Sequence, residues 1–209
     1  MYCPQSFAVT DLDVLHDFIE SHSFGTLVSI GASVPTASHL PLLLDRTRGP
    51  AGTLIGHLAA ANPQAARADG KVVLAIFQGP DAYISPTWYE EENVVPTWNY
   101  VAVHATGILK RIIDPSRKLE IVRRYVAFYE ADLPNPWSLD SADPAFIEKL
   151  LTAIDGFEIE IDRLEGKWKL NQNHPPARRE RVIRALNEAG GEDRTQIADL
   201  MTEMLTTNR

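Results

Sequence analysis

A series of strand-like segments runs between residues 25 and 112, and tight turns or one short helix join them. Their sequences are GTLVSI (25–30), TASHLPLLLD (36–45), TLIGHLA (53–59), KVVLAIFQG (71–79) and TWNYVAVHATGILKRI (97–112). Strands joined by tight turns pair antiparallel, whereas a doubly wound parallel sheet needs a helix after most strands. The order therefore predicts an α+β fold, mainly β, in which an antiparallel barrel carries peripheral helices.

The fourth of these segments and two further strand patterns complete the sheet. KVVLAIFQG is almost continuously apolar, which predicts a strand buried on both faces, and DAYISPTWY continues after Gly79-Pro80. Towards the other end, GFEIEIDRLEGKWKL (156–170) alternates Phe157, Ile159 and Ile161 with acidic residues. This alternation predicts a half-buried strand that returns to the sheet.

Helical patterns flank and interrupt the strands. One follows Thr10, and two others begin at the Asp-Pro pairs 114–115 and 143–144, where Asp suits the N-cap and Pro the first helical position. From Pro175 onward, two short helical patterns end the sequence. We predict a barrel domain over residues 1–173 and a helical tail over residues 174–209.

Charge and cysteine content exclude several classes of protein. The 209-residue chain has a net charge of −8, which argues against attraction of its whole surface to nucleic acid or anionic membranes. Cys3 is the single cysteine, so neither an intramolecular disulfide nor a thiolate metal cluster can form. No signal-peptide pattern and no apolar run of about 20 residues is present. These features predict a soluble, cytoplasmic protein.

Common catalytic and nucleotide-binding motifs are absent. The sequence contains no G-x-G-x-x-G, no P-loop, no G-x-S-x-G and no H-E-x-x-H. Its six histidines are scattered, and no two of them stand four residues apart. We therefore predict no metal site.

Four stretches place polar side chains on strands that otherwise look buried. They are ASHLPLLL (37–44), GHLAAANPQ (56–64), PTWNY (96–100) and KWKLNQN (167–173). A strand end whose polar atoms bind the backbone explains any one of them. Four in one small sheet favour a ligand, because burial of each unpaired polar group costs about 1–3 kcal/mol.

These stretches indicate the chemistry of that ligand. Flat rings stack on Trp98 or Tyr100, and an amide such as Asn99 can pair with the polar edge of a heterocycle. The Asn62-Pro63 helix start offers backbone N–H groups that suit a phosphate. A phosphorylated, flat, polar-edged heterocycle fits all of these groups, and flavin mononucleotide (FMN) is the obvious candidate.

Five segments of the chain carry a family resemblance: SHLPLLLD, GHLAAANPQ, VLAIFQGPDAYISPTWY, VPTWNYVAVHATG and KWKLNQN. In order and spacing they resemble the PaiB family of FMN-binding negative transcriptional regulators. The resemblance covers essentially the whole chain, to about residue 190. It implies an FMN-binding split barrel, the superfamily that also holds pyridoxamine-phosphate oxidases and small flavin reductases. It further implies a homodimer with FMN at the subunit interface.

The resemblance also implies which residues contact the flavin. They are Ser38, His39, Leu40, Gly56, His57, Asn62, Trp98, Asn99, Tyr100, Lys169, Gln172 and Asn173. The sequence departs from the family pattern at Asn171, where Ser is usual, and at His174, where Arg is common. The arginine and lysine that bind phosphate in the second strand of the oxidases are also missing.

A regulator of transcription would need a surface for DNA. The best basic cluster consists of Arg178, Arg179, Arg181 and Arg184, near the start of a predicted helix. Arginines at that end of a helix oppose its dipole, which indicates an anionic partner such as DNA. A solvated helix face or salt bridges within a dimer explain the same cluster, and no helix-turn-helix spacing is evident.

Two other functions remain open beside an FMN-binding regulator. One is a flavin-dependent oxidoreductase or flavin reductase on the same scaffold. The other is a dimeric protein that has lost its cofactor. No residue stands out as a general acid or base, although His57 or His104 would serve as an acid if it faced the flavin.

Overall fold

A computed structural model describes residues 1–31 and 33–207. In this part of the chain, eight strands form one sheet and six α-helices are present. The strands are β1 (Ala8–Val9), β2 (Phe24–Ile30), β3 (Pro35–Pro41), β4 (Leu43–Asp45), β5 (Thr53–Ala59), β6 (Val72–Ile84), β7 (Thr97–Ile112) and β8 (Ile154–Lys169). The helices are α1 (Leu12–Ser21), α2 (Gln64–Ala68), α3 (Pro115–Glu130), α4 (Pro144–Leu151), α5 (Pro176–Ala189) and α6 (Glu192–Thr207). None of these helices is long and apolar enough to cross a membrane.

The sheet is antiparallel, as the turn-linked strand order predicts. Its strands follow the order β3-β2-β6-β7-β8-β5-β4, and β1 pairs with β8. The segment 36–45, which we predicted as one strand, is two. The chain pairs with β2 as far as Pro41 and with β5 from Leu43, and at Leu42 the N–H group bonds instead to the carbonyl oxygen of Ser23. A change of partner strand therefore ends β3, which the apolar run in the sequence does not signal.

Strand β6 corrects a second prediction. It is not buried on both faces: Val72 is exposed, whereas the alternate residues Val73, Ala75 and Phe77 are buried. The strand also runs without a break through Gly79-Pro80 to Ile84. The apolar run thus forms a strand with two apolar faces, of which one is buried and the other is partly exposed.

The chain divides into two compact units. Unit 1 consists of Met1–Leu15, Gln78–His104 and Glu165–Arg209, and unit 2 of His16–Phe77 and Ala105–Leu164. Both α5 and α6 belong to unit 1, so the predicted boundary at residue 173 stays a prediction. Residues 208–209 of the predicted tail lie outside the described residues.

Unit 2 has a core in which sheet and helix side chains meet. Leu43, Ile55 and Ile112 from three strands pack with Ile121 and Tyr125 of α3. The Tyr125 hydroxyl has one proton to donate, and both the carbonyl oxygen of Pro41 (2.6 Å) and that of Ile55 (3.1 Å) lie within hydrogen-bond distance of it. This phenol therefore ties α3 to the end of β3 and to β5.

One sheet face of unit 2 is apolar and exposed. Phe24 is 69% exposed, Ile30 76% and Val72 59%. Since side chains alternate along a strand, Val28 of β2 shares the face with Phe24 and Ile30, and its register partner Leu74 brings the β6 side chains onto it. We call this surface the β2–β6 face.

In unit 1 the last two helices pack against each other. Their buried apolar residues are Val182 and Leu186 of α5 and Ile197, Ala198 and Met201 of α6. With 14 and 16 residues, both helices are longer than the short patterns we predicted. Gly190 (φ 64°) and Gly191 (φ 96°) separate them in a left-handed conformation that favours glycine.

Candidate functional site

The predicted flavin contacts fall into two groups, one in each unit. In unit 2 they are Ser38, His39, Leu40, Gly56, His57 and Asn62, which we call the β3–β5 group. In unit 1 they are Trp98, Asn99, Tyr100, Lys169, Gln172 and Asn173.

Hydrogen bonds hold the polar side chains of the β3–β5 group in place. Asn62 Nδ2 donates to Ser38 Oγ (3.0 Å), and Asn62 Oδ1 accepts from the backbone N–H of Gln64 (2.9 Å). Gln64 Nε2 in turn donates to the carbonyl oxygen of Leu27 (3.0 Å) and to Ser29 Oγ (3.1 Å). The helix start predicted as a phosphate anchor thus has one N–H already occupied, and the helix itself, α2, has only five residues.

The two histidines of this group have different surroundings. His39 is exposed on β3, where its Nδ1 lies 2.9 Å from Thr26 Oγ1, while the next side chain, Leu40, is buried. His57 is mostly buried, with its ring edge-on to Tyr125 at 5.0 Å between centroids. Its Nδ1 has no hydrogen-bond partner among the described residues, and burial lowers the pKa of the imidazole. His39 can meet a ligand from outside the chain, and His57 carries an unpaired polar atom.

Gly56 has a packing reason to be glycine. A Cβ atom there would lie 2.4 Å from Cζ of Phe157 and 3.0 Å from a methyl carbon of Leu42. The Phe157 ring therefore occupies the space that a side chain would need, whether or not a ligand also approaches this backbone.

Unit 1 contains a cavity of about 440 Å³. This volume lies within the range of about 300–1,000 Å³ that is typical of small-molecule sites. Its lining residues come from the N-terminal segment, the loop before β7, the end of β8 and the start of α5. They are Phe7, Tyr89, Glu92, Asn93, Val94, Val95, Pro96, Thr97, Lys169, Asn171, Asn173, His174 and Arg178. We call it the Lys169 cavity.

Lys169 is held at the wall of this cavity by neutral oxygens. Its Nζ donates to Thr97 Oγ1 and to the carbonyl oxygen of Trp98, both at 2.5 Å. Within the described residues, no carboxylate forms a salt bridge with it. Burial, and to a smaller extent the nearby charge of Lys167, lower the pKa of the ammonium group. The wall of this cavity, which also includes Glu92, therefore holds a cation that no described carboxylate pairs with in a salt bridge.

A second part of the wall is built around Tyr89. The guanidinium carbon of Arg178 lies 5.1 Å from the centroid of the Tyr89 ring, and Arg178 Nη1 donates to His174 Nδ1 (3.1 Å). Because arginine can only donate, this bond leaves the proton of a neutral His174 on Nε2. Burial and the charge of Arg178 lower the pKa of His174, which favours the neutral ring. Asn171 adopts a left-handed φ of 61°, with its Nδ2 3.5 Å from the Tyr89 hydroxyl.

A two-arginine clamp fixes the loop beside the cavity. Arg178 and Arg181 both form salt bridges with Glu91, the latter at 2.5 Å. Arg179 is only 5% exposed. Of the four arginines in the predicted DNA surface, two are thus paired within the chain and one is buried, whereas Arg184 is exposed.

Trp98 and Asn99 follow Thr97 on β7 but do not line the cavity. Trp98 is half-exposed, with its ring edge-on to Tyr83 at 5.8 Å between centroids. Asn99 is fully buried: its Nδ2 lies 3.4 Å from Met201 Sδ, and its Oδ1 has no hydrogen-bond partner among the described residues. The predicted amide is thus present at this position, but α6 covers it.

Tyr100 and Gln172 have partners within unit 1. The Lys167 ammonium lies 5.2 Å from the centroid of the Tyr100 ring. Gln172 Oε1 accepts from the N–H of Leu170 (2.7 Å), and its Nε2 donates to the carbonyl oxygen of Trp168 (2.5 Å). Of the six predicted residues in this unit, only Lys169 and Asn173 line the cavity.

Sequence reasoning missed several residues of the cavity wall. They are Phe7, Tyr89, Thr97, Asn171, His174 and Arg178. Thr97 and Asn171 lie in the polar stretches PTWNY and KWKLNQN and Arg178 in the basic cluster, but none of them was predicted to contact the ligand. No three His, Cys, Asp or Glu side chains group as a metal would need in the part of the chain that the structure describes.

Solved structures define the class of protein. The flavocytochrome Anf3 from Azotobacter vinelandii matches with a TM-score of 0.60 at 15% identity, over 78% of this chain and 69% of that chain. A FAD- and haem-binding protein from Mycobacterium smegmatis matches with a TM-score of 0.56 at 15% identity, over 88% and 80%. This likeness confirms the predicted fold: the chain is an antiparallel α+β protein of the split-barrel class.

Sequence comparison then defines the family. Residues 1–163 match the family described as "Putative FMN-binding domain", and the chain belongs to that family. It is also 35% identical over 206 residues to "Protease synthase and sporulation protein PAI 2" of Bacillus subtilis (strain 168), an alignment that covers 98% of each chain. The predicted resemblance to the PaiB family is confirmed.

Proposed function

We propose that the chain binds FMN and that the flavin ring contacts the Lys169 cavity. The observation that carries this proposal is a cavity of about 440 Å³ with a cationic wall inside a member of an FMN-binding family. Lys169 has no salt-bridge partner among the described carboxylates, so a ligand that is rich in acceptor atoms would stabilise it.

The donor chemistry of the cavity fits a flavin. The polar edge of the isoalloxazine ring carries carbonyl oxygens and ring nitrogens that accept hydrogen bonds. Reduction of the flavin adds negative charge to this edge. Lys169 Nζ, His174 Nε2 and the Asn173 amide are donors at the wall. Bound FMN supplies one- and two-electron redox chemistry, while the protein would position the ring and tune its charge.

We also propose a homodimer formed through the β2–β6 face. Phe24, Ile30 and Val72 are exposed apolar side chains on this face, and a second copy would remove them from water. His39 pairs in register with Thr26 on the same face. This exposed imidazole would then lie in the dimer interface.

The biological role we propose is that of a PaiB-like negative regulator of transcription. Support comes from the family resemblance alone. Any contact with DNA would use residues other than Arg178, Arg179 and Arg181, because these are paired or buried. A DNA-binding assay of the dimer with and without FMN tests this role.

A flavin-dependent oxidoreductase or flavin reductase is the second candidate. What favours it is that two groups able to donate a proton, His174 and Lys169, line the same cavity. Oxidation of NADH or NADPH by the FMN-loaded protein, at a rate well above that of free FMN, would support the enzyme. A rate equal to that of free FMN would leave only the regulator.

The absorbance spectrum of the purified protein tests flavin binding directly. After incubation with FMN and removal of free flavin by gel filtration, we expect a yellow protein with about one flavin per chain. A colourless protein after the same treatment would contradict the proposal. FAD, tested in parallel, reports whether the site discriminates between the two flavins.

A further inference from the structure

Helix α6 covers two amides beside the Lys169 cavity with the sulfur atoms of methionines. Met201 Sδ lies 3.4 Å from Asn99 Nδ2, and Met204 Sδ lies 3.5 Å from Gln172 Nε2. Both amides stand close in sequence to residues that line the cavity: on β7, Asn99 lies two residues after Thr97 and on the same side of the strand, and Gln172 precedes Asn173. The helix thus lies on residues that flank the proposed flavin site.

The Asn99 contact is a poor one for a buried amide. A thioether is only a weak acceptor, and Asn99 Oδ1 has no partner at all among the described residues. Buried polar groups in native proteins are nearly always paired, so each exception calls for a physical explanation. A second conformation of the protein, in which the Asn99 amide has a stronger hydrogen-bond partner, would explain this exception.

The attachment of α6 permits such a second state. Gly190 and Gly191 join it to α5, and a Cβ placed on Gly190 would meet no atom within 4 Å. Among the described side chains of α6, the fully buried ones are three: Ile197, Ala198 and Met201. Methionine is unbranched and adaptable, which suits a contact that forms and breaks.

We propose that α6 is a displaceable cover over Asn99, and that a bound flavin replaces it. In the closed state α6 shields the amide with Met201. In the open state the Asn99 side chain pairs with the polar edge of the ring. This inference rests on the proposed function, since it assigns a regulatory element to the same flavin site.

Two substitutions in the full-length chain shift the cover in opposite directions. Met201→Gln supplies an amide of similar size that can pair with Asn99, so it stabilises the closed state. One added hydrogen bond predicts FMN binding about fivefold weaker than in the parent protein. Ala198→Glu places a carboxylate where the helix is buried, so it favours the open state and predicts tighter FMN binding. Thr202→Gln, on the exposed side of α6, is the matched control and leaves the affinity unchanged.

Backbone hydrogen exchange of residues 192–207 provides a readout that does not depend on affinity. We expect FMN to lower the protection of this segment in the parent protein and to lower it less in Met201→Gln. FMN binding with unchanged or increased protection of α6 would overturn the cover. Equal FMN affinity in the parent, Met201→Gln and Ala198→Glu proteins would overturn it as well, while leaving the flavin site intact. Failure of all these folded proteins to bind FMN would refute the proposed function and the cover together.

Discussion

The side-chain ammonium of Lys169 donates hydrogen bonds to Thr97 Oγ1 and to the carbonyl oxygen of Trp98, each 2.5 Å away. These bonds join the end of β8 to the start of β7 and fix the position of a partly buried cation. Both partners are neutral, so the charge itself stays uncompensated within the described chain. A cation held in this way is suited to an anionic or acceptor-rich ligand.

The clamp on Glu91 predicts a pH-dependent stability. Hydrogen bonds from Arg178 hold the pKa of this carboxyl below its usual 4.5. A lowered carboxyl pKa means that the clamp stabilises the folded state above pH 4.5 and is lost as the pH falls through the lowered value. We expect Glu91→Gln to lower the melting temperature at pH 7, and we expect this difference from the parent to shrink progressively below pH 4.5.

Glu92→Gln is the control for that measurement. Glu92 is the next residue in the same exposed loop, so its substitution removes the same charge without breaking the clamp. If both substitutions change the melting temperature equally at every pH, the change comes from the loss of one negative charge in the loop. The pairing of Glu91 with Arg178 would then not explain it.

The β2–β6 face predicts the oligomeric state. Ile30 is 76% exposed in the single chain, so Ile30→Glu should leave its folding intact. In a dimer the same carboxylate would be buried without a partner, and we expect the dimer dissociation constant to rise at least about tenfold. Light scattering across a concentration series measures this change. Ile113→Glu, exposed outside that face, should remain dimeric, and a dimeric Ile30→Glu protein would place the interface elsewhere.

The Tyr125 hydroxyl predicts a measurable contribution to stability. Tyr125→Phe removes the hydrogen bonds to the carbonyl oxygens of Pro41 and Ile55, and we expect the free energy of unfolding to fall by about 1–3 kcal/mol. Urea unfolding measures this loss. Tyr129→Phe removes an exposed bond to Ser23 Oγ and should change stability by less than about 0.5 kcal/mol. Equal effects of the two substitutions would refute the role given to Tyr125.

Local patterns were sufficient to predict much of the sheet. The alternation in β8 correctly places Phe157, Ile159 and Ile161 in the core, because a period of two is a property of the strand itself. The Asp-Pro pairs correctly mark the starts of α3 and α4, where Asp114 and Asp143 accept hydrogen bonds from the N–H groups of Arg117 and Phe146. In each case the signal and its effect lie within a few residues.

The candidate site could be predicted only in part, because distant segments build it. Tyr89, Lys169 and Arg178 line one cavity although about 90 residues separate the first from the last. Nothing near Asn99 in the sequence indicates that Met201 covers it, and nothing near Arg178 indicates that Glu91 pairs with it. Such contacts follow from chain folding, so a single sequence reveals the residue types but not their neighbours.

The most direct test of the account is an FMN titration of Lys169→Met beside the parent protein, with Lys110→Met as the control. Lys110 is an exposed lysine in unit 2 whose only described partner is Glu160. Loss of a hydrogen bond from a charged donor predicts that Lys169→Met binds FMN about 10- to 100-fold more weakly, while Lys110→Met binds it like the parent. A folded Lys169→Met protein whose affinity for FMN equals that of the parent would contradict the assignment of the flavin to this cavity.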